Sequence, residues 1–454
     1  MSELPKGWVL AQLPDVAFFQ EGPGLRKFQY RDSGVAFLNI RTLVNERIDL
    51  SLCKFLDPDE VDNKYQHFLL QEGDIVCSTS GTIGKTAVVR GGDLPLILNT
   101  SIVRFRSLSD ELISNSWVYY FLKSDSFFMQ AEKEATGTAQ KNIGPSHLRN
   151  FCMPLPPRAE QARIAAKLDE LLAQVDTLKA RIDAIPMLLK RFRQSVLAAA
   201  VSGRLTEEWR RVRCKSPEDQ SFVYPVRKLG VLARFIDYRG KTPEKVESGI
   251  PLITAKNIRP GYISREPQEF IRPEAYEGWM TRGLPQVGDV VITTEAPLGN
   301  VAVIDIKERF ALAQRAICLQ FHEGFLSSFA AIALQSPLLQ EDLVRRSTGT
   351  TVKGIKASVL KEIDLPAPTI DEQTEIVRRV EQLFAFADQL EAKVASAKSR
   401  IDHLTQSILA KAFRGELVPQ DPNDEPASVL LERIKAQRAA APKARRGRQA
   451  ATLS

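Results

Sequence analysis

The chain repeats itself at long range, and the repeat divides it into two copies of one plan. Thr136-Gly137-Thr138, Lys141, Ile143, Ser146, Leu148 and Pro154 recur 212 residues later as Thr348-Gly349-Thr350, Lys353, Ile355, Ser358, Leu360 and Pro366. The match continues from Glu160-Gln161 and Glu372-Gln373 to Gly203-x-Leu205 and Gly415-x-Leu417. A period this long marks a duplicated domain, because solenoid units run about 20–50 residues. Two globular parts with helical connectors are therefore the expectation for 454 residues.

The longest shared stretch is helical. After Pro154-Leu155-Pro156-Pro157, apolar residues fall at Ile164, Leu168, Leu171, Val175, Leu178, Ile182, Ile185, Leu189, Phe192 and Val196. The spacing alternates four and three, which is the a/d seam of a coiled coil. The second copy places Ile376, Val380, Leu383, Ala387, Leu390, Val394, Ala397, Ile401, Leu404 and Ile408 at the same positions. Two equal stripes in one chain bury each other most simply, and a twofold relation between the copies makes them antiparallel. The alternative is that each stripe packs on its own globular part. Pro186 is expected to interrupt the first helix, since a helix-interior proline loses a hydrogen bond and clashes with the preceding turn; the second copy has Lys398 there.

The globular parts read as mixed α/β. Gly34–Arg41 aligns with Gly249–Lys256, and Gly73-Asp74-Ile75-Val76 with Gly288-Asp289-Val290-Val291, each a turn feeding a strand. A helix is expected around residues 113–134 and again around 326–346, ending at the Thr-Gly-Thr turns. The resulting order is a globular part over 1–154, a coiled-coil helix over 155–202 and a linker over 203–224. A second globular part follows over 225–366, a second helix over 367–414, and a C-terminal segment over 415–454.

Charge does not settle the partner. The formal net charge of +7 comes from Arg433, Lys435, Arg438, Lys443, Arg445, Arg446 and Arg448. The remainder holds as many basic as acidic residues, 55 of each. The basic segment 433–454 reads as a disordered tail. Any phosphate-binding surface in the body must come from local clusters. The copies differ most in their loops: Arg26, Lys27, Arg31, Arg41 and Arg47 in the first, and Arg239, Lys241, Lys245, Lys256 and Arg259 in the second. One scaffold with two loop sets suits a bipartite target such as DNA, whose base edges are read by loop or helix side chains.

Catalytic signatures are not visible. Ser80-Gly81-Thr82-Ile83-Gly84-Lys85-Thr86 resembles a phosphate loop, but such a loop needs glycine where Thr79 stands, and the second copy has Asn300 in place of the lysine. No glycine-rich cofactor loop follows a strand, and no Asn-Pro-Pro-aromatic run for base methylation occurs. Four scattered histidines and five scattered cysteines give no metal spacing, so the thiols are expected to be free. The chain has no run of about 18 uncharged apolar residues and opens without a signal-peptide pattern, so a cytoplasmic location is expected.

With these features the sequence resembles the specificity subunits (HsdS) of type I restriction-modification enzymes, over nearly its whole length. The resemblance rests on Pro154-Leu155-Pro156-Pro157-x-x-Glu160-Gln161-x-x-Ile164, on Leu168–Asp176 and Leu189–Leu197, and on Ser407–Leu417. Tyr238-Arg239-Gly240-Lys241-Thr242-Pro243 and Thr294–Asn300 add to it. It implies an α/β fold with two target-recognition domains in tandem, separated by two long antiparallel coiled-coil helices. It implies no catalysis by this chain. The partners it implies are double-stranded DNA, two modification subunits (HsdM) and two restriction subunits (HsdR), with S-adenosylmethionine, ATP and magnesium carried by those partners. Candidate DNA-contacting residues are the polar and basic loop positions Arg41, Lys85, Asn99, Lys141, Arg239, Lys241, Lys256, Asn300, Gln314, Arg315 and Lys353. For each, an ordinary surface role stands beside the DNA contact, and the Thr-Gly-Thr turns read equally as phosphate-facing turns or as helix C-caps with Gly137 and Gly349 at C′. The rival reading of the whole chain is a coiled-coil scaffold with two protein-interaction modules.

Overall fold

A computed structural model describes residues 4–135, 141–214, 222–238, 243–313, 315–350 and 352–440. Two 44-residue helices dominate it: α1 (Arg158–Val201) and α2 (Ile370–Phe413). Their starts differ by the repeat offset. The chain divides into two compact units, Met1–Arg181 with Ala397–Ser454, and Ile182–Ser396. The division falls inside the helices, so each unit holds one globular domain and a half of each helix.

In the first unit the entry strand Val9–Gln12 pairs antiparallel with the exit strand Cys152–Leu155 and closes the domain on itself. The main sheet is formed by β1 (Ala17–Glu21), β2 (Ile75–Ser78), β3 (Thr86–Val88) and β4 (Ile102–Ser107), in the order β1-β4-β2-β3, all antiparallel. A smaller sheet sets Val35–Phe37 between Lys54–Leu56, antiparallel, and Leu96–Ile97, parallel. The second unit repeats this. Val226–Lys228 pairs with Asp364–Pro366. Strands β5 (Ala233–Asp237), β6 (Val290–Thr294), β7 (Leu298–Val303) and β8 (Ala316–Phe321) run in the order β5-β8-β6-β7. Ile250–Ile253 lies between Phe270–Ile271 and Ala311–Leu312. The Gly-Asp turns before β2 and β6 work as expected. Gly73 and Gly288 take positive φ (84° and 94°), and each aspartate accepts the backbone N–H three residues earlier at 2.8 Å. The expected single helix of each domain is two, Asn115–Leu122 with Asp125–Glu134 and Ser327–Gln335 with Pro337–Arg346. Ser124 and Ser336 interrupt it, each capping the second segment through its side-chain oxygen.

The helix halves run antiparallel within each unit. Lys179 meets Asp402 at 3.5 Å in the first, and Arg193 meets Asp388 and, at 3.1 Å, Glu391 in the second. The two seam readings prove complementary. Ile164, Leu168, Val175, Ile376, Val380, Ala387, Ile401 and Ile408 are buried, with Leu171, Leu383, Leu390 and Val394 half-buried. In the second unit Val196, Leu197 and Ala200 of α1 share one core cluster with Ile376 and Val380 of α2 and with Leu229, Leu319 and Phe329 of the domain. In the first, Phe413 of α2 stacks on Trp117 of the domain at 4.3 Å between centroids. Two expectations fail here. Leu178 and Leu404 are 46% and 44% exposed, so the seam is open at those positions. Pro186 does not interrupt α1, which runs unbroken through it; one missing hydrogen bond is tolerated where the flanking turns are held by the partner helix.

The Glu-Gln pair of each copy joins helix to domain. Gln161 accepts the Ser114 N–H (2.8 Å) and donates to the Pro156 carbonyl (3.0 Å); Gln373 accepts the Leu326 N–H (2.7 Å) and donates to Pro368 (2.9 Å). Both glutamines are buried and satisfied, so they fix the first turn of the helix against its domain. Glu160 accepts the Trp8 indole N–H at 2.9 Å. Glu372 accepts the Tyr224 hydroxyl at 2.6 Å, the Thr206 hydroxyl at 2.7 Å and the Arg210 guanidinium.

The C-terminal segment also departs from expectation. Residues Ala427–Ala440 form a further helix, α3, whose Ala427, Leu430 and Ile434 are buried. Arg438 donates to the Pro14 carbonyl at 2.7 Å, Lys435 and Arg438 flank Asp15, and Arg433 pairs with Glu425 at 2.8 Å. Part of the expected disordered tail is thus a folded strap on the first domain. Lys443, Arg445, Arg446 and Arg448 lie outside the described residues.

Candidate nucleic-acid interface

In the first domain the main sheet gathers its loops at one end. The register sets Glu21 beside Val103, Ser78 beside Ile102, and Thr86 beside Cys77. The exit from β1, the β2–β3 loop and the entry to β4 therefore emerge together. Backbone bonds stitch in a fourth segment: Thr79 N–H donates to Ser101 (3.0 Å), Ile143 N–H to Thr79 (2.9 Å) and Gly81 N–H to Lys141 (3.0 Å). Lys85, Asn99 and Lys141 thus meet at one sheet end. Arg41 follows the strand Val35–Phe37, which runs parallel to Leu96–Ile97, so Arg41 and Asn99 leave the small sheet at the same end. Arg41 is exposed on a turn capped by Asn39, and Lys85 is exposed. Asn99 spends its carbonyl oxygen on the N–H (2.9 Å) and hydroxyl (2.6 Å) of Ser101. Lys141 pairs with Glu132 at 3.2 Å.

The second domain builds the same end. Thr294 N–H donates to Arg315 (2.8 Å) and Ile355 N–H to Thr294 (3.0 Å), while Glu295 bridges Gly354. Arg315, Asn300 and Lys353 are drawn together, with Lys256 leaving the strand that runs parallel to Ala311–Leu312. Arg315 holds a left-handed φ of 72° and its guanidinium meets Glu295 at 3.1 Å. A non-glycine residue in that region carries strain of order 1–3 kcal/mol. Lys256 is exposed and lies 3.7 Å from Glu269. Lys353 is exposed and makes no ion pair among the described residues. Asn300 is half-buried, and its side-chain amide donates to the Ile258 carbonyl at 2.9 Å. Arg239, Lys241 and Gln314 lie outside the described residues.

Two further sequence readings resolve. The phosphate-loop look-alike joins two antiparallel strands, β2 and β3, as a hairpin loop. Its Lys85 N–H is held by the Ser78 hydroxyl at 2.9 Å, as the Asn300 N–H is held by Thr293 at 2.9 Å. The strand–loop–helix context of a nucleotide site is not what this segment forms. Gly349 is not a helix C′ residue, because the helix ends at the extended Ser347; it sits with φ 105° in a turn closed by paired bonds between Thr348 and Gly354. An added Cβ there would lie 2.2 Å from the Val352 carbonyl, which explains the glycine. Thr136–Thr138 lie outside the described residues.

Sequence reasoning missed the stitching residues Thr79 and Thr294. Both are buried at the same place in the two copies, and both work through backbone groups while the side-chain oxygen has no partner. Their signal was only a threonine conserved between repeats. Cys53, Cys77, Cys152 and Cys318 are free; burial pushes the Cys77 thiol up to about 12, so it stays protonated and inert. Among the described residues no group of three His, Cys, Asp or Glu is placed to hold a metal, and no helix is long and apolar enough to cross a membrane.

The chain matches the type I restriction modification DNA specificity domain over residues 5–187 and 244–397. It is 33% identical to the EcoKI specificity subunit of Escherichia coli K12, over 96% of this chain and 97% of that protein. It is 36% identical to the EcoBI specificity subunit of Escherichia coli over 76% of each. In fold it resembles a chain from a type I restriction-modification assembly, at TM-score 0.64 and 19% identity, covering 92% of this chain and all of that one. The HsdS subunit of Thermoanaerobacter tengcongensis superposes at TM-score 0.57 and 19% identity, over 91% of this chain and 98% of that one. The chain therefore belongs to the specificity subunits of type I restriction-modification systems, the DNA-recognition subunits that are not themselves catalytic.

Proposed function

We propose that each recognition domain reads one half of a split, asymmetric DNA site through the loops gathered at the end of its main sheet. The observation that supports this is the same stitched loop cluster in both copies, carrying different side chains at matched places: Arg41, Lys85 and Thr100 in one, Lys256, Asn300 and Arg315 in the other. A common mount with different tips is what two unlike half-sites require. Two modification subunits bind this chain and bring S-adenosylmethionine. Two restriction subunits add ATP- and magnesium-dependent cleavage, all in the cytoplasm. Exchanging residues 1–150 for those of a relative, and sequencing the methylated motif of the hybrid, tests the reading. One half of the motif should change and the other persist; a change in both halves would refute independent readers.

The paired helices act as the ruler between half-sites. Inserting one heptad after Val175 and one opposite it, after Thr405, keeps the seam in phase and the Lys179–Asp402 register intact. It adds roughly 10 Å at about 1.5 Å per residue, or about three base pairs at ~3.4 Å each. The variant's methylome should show the same half-sites with a longer unspecified gap. An active variant with an unchanged gap would exclude the ruler.

A further inference from the structure

The loop leaving β1 carries a phenylalanine that the domain core does not take up. Phe28 is 81% exposed, on a 3₁₀ turn spanning Lys27–Gln29. The turn is held from all sides. The buried Gln29 accepts the Arg26 N–H (2.8 Å) and donates to Glu60 (2.8 Å) and to the Tyr65 hydroxyl (3.1 Å). Arg31 donates to the carbonyls of Phe28 (3.0 Å) and Tyr30 (3.2 Å), and its own N–H to Phe55 (2.9 Å). Leu25 and Tyr30, on either side, pack into the cluster of Phe37, Leu56, Val61 and Ile97. The neighbours are anchored inward while the ring is held in water. A loop free to move would fold such a ring against apolar surface, because exposed aromatic area is unfavourable.

Its surroundings are cationic. Arg26, Lys27 and Arg31 are exposed and form no ion pair among the described residues, with Asp32 the one acidic residue of the segment. The same loop is pressed against the candidate interface: a Cβ on Gly22 would lie 2.4 Å from the Asn99 nitrogen, and one on Gly24 would lie 4.0 Å from Thr100. We propose that Phe28 is a wedge that enters a base step of the first half-site, with Arg26 and Lys27 on the flanking phosphates. Apolar side chains inserted between base pairs unstack them, and adjacent cations hold the backbone that the wedge displaces. The equivalent segment of the second copy, Arg239-Gly240-Lys241-Thr242-Pro243, has cations without an aromatic ring. The wedge is therefore a device of one half-site only. This rests on the reading of the first domain as a DNA reader.

The test uses the whole methyltransferase, this chain with its modification subunits, and a duplex carrying the motif that the wild-type complex methylates. 2-Aminopurine replaces single adenines across both half-sites. With wild type, fluorescence should rise at a step of the first half-site and stay low in the second. Phe28→Ala should abolish that rise and weaken specific binding by roughly tenfold or more, the scale of one lost base–aromatic contact. Phe28→Trp should keep both, and the Arg26→Ala, Lys27→Ala double variant should keep the rise while flattening the salt dependence. Wild-type duplex without unstacking, or Phe28→Ala binding as tightly as wild type, overturns the wedge. Loss of modification subunits from Phe28→Ala on gel filtration overturns it too, and assigns the ring to a protein contact. If exchanging residues 1–150 still redirects the first half-site while Phe28→Ala is silent, only the wedge falls; if the exchange changes nothing, the reading beneath it falls.

Discussion

Glu160 and Glu372 stand at equivalent places in the two copies and are treated differently. Glu160 is met by the indole N–H of Trp8 and by Gln420, with Arg163 nearby. Glu372 is met by a tyrosine, a threonine and an arginine. Beside them, Gln161 and Gln373 make matching bonds in both joints. The duplicated chain has kept the residue that fixes the helix to the domain and varied what surrounds the neighbouring carboxylate. The charge of Glu372 is compensated by Arg210. Burial pushes the Glu160 carboxyl up from its ordinary value, with the hydrogen bonds of Trp8 and Gln420 and the charge of Arg163 opposing the shift. The same motif is an ion pair in the second joint and, in the first, a carboxyl raised by burial with no ion pair of its own among the described residues.

Breaking each carboxylate separates these cases. Glu372→Ala leaves Arg210 without its partner in a mostly buried site and should cost about 3–5 kcal/mol in the second unit. Glu160→Ala removes the bonds from Trp8 and Gln420 but also relieves a buried carboxylate, so about 1 kcal/mol is expected in the first. Denaturant titration followed by hydrogen exchange, which reports the two units separately, measures both. The pH response distinguishes them further. A carboxyl whose folded-state affinity for protons exceeds its unfolded one stabilises the fold most when protonated. Lowering pH through the raised Glu160 value toward 4.5 should therefore stabilise wild type relative to Glu160→Gln. Equal losses from the two alanine variants would make the joints energetically the same.

The ends of the copies differ as well: the 14-residue α3 packs on the first domain, while the helix that follows α1 in the second unit, Glu207–Cys214, has eight residues. Ending the chain after Pro426 removes Leu430 and Ile434 from their buried sites, at roughly 1.5–3 kcal/mol each, and should lower the melting temperature of the first unit. Ending it after Ala440 removes only Lys443, Arg445, Arg446, Arg448 and their neighbours. That variant should keep its stability and its methylated motif while binding DNA with a shallower salt dependence. A new motif from the shorter cut would show that the terminal cations take part in base readout.

Much of this was legible because helical order is local. The i, i+3, i+4 pattern of Ile164 to Val196 and Ile376 to Ile408 announces itself within one stretch of chain, and the repeat offset then placed both helices. The pairing of Val9–Gln12 with Cys152–Leu155 joins residues that no local pattern connects, so domain closure was invisible. Pro186 was misjudged because a propensity rule was applied where tertiary packing prevails. The strap α3 was hidden by its alanines and charges: Ala427, Leu430 and Ile434 give a stripe too narrow to stand out from a basic tail. At the interface, the sequence singled out Lys141 and Lys353 as a matched pair but could not separate loop-holding residues from exposed tips. Asn300 is half-buried with its amide donating to Ile258, while Lys353 is exposed.

That last distinction yields the smallest effect and the finest test of the comparison. Lys141 and Lys353 occupy the same turn of the two stitched clusters, but Lys141 is 3.2 Å from Glu132, while Lys353 makes no ion pair among the described residues. A lysine already paired must give up its carboxylate, or bring it close to the phosphates, before it neutralises DNA. Exposed pairs of this kind are worth only about 0–1 kcal/mol, so the difference between the copies should be of that order. Lys353→Ala should weaken binding about uniformly across sequences and reduce the salt slope by about one ion. Lys141→Ala should do less of both. Glu132→Ala frees Lys141 and should raise affinity, most clearly at low salt where the Debye length is long. Binding isotherms of the three variants in complex with the modification subunits, taken across a salt series, decide it. Equal slopes for Lys141→Ala and Lys353→Ala, with Glu132→Ala inert, would mean that the ion pair does not tune the first cluster and that the two turns meet DNA alike.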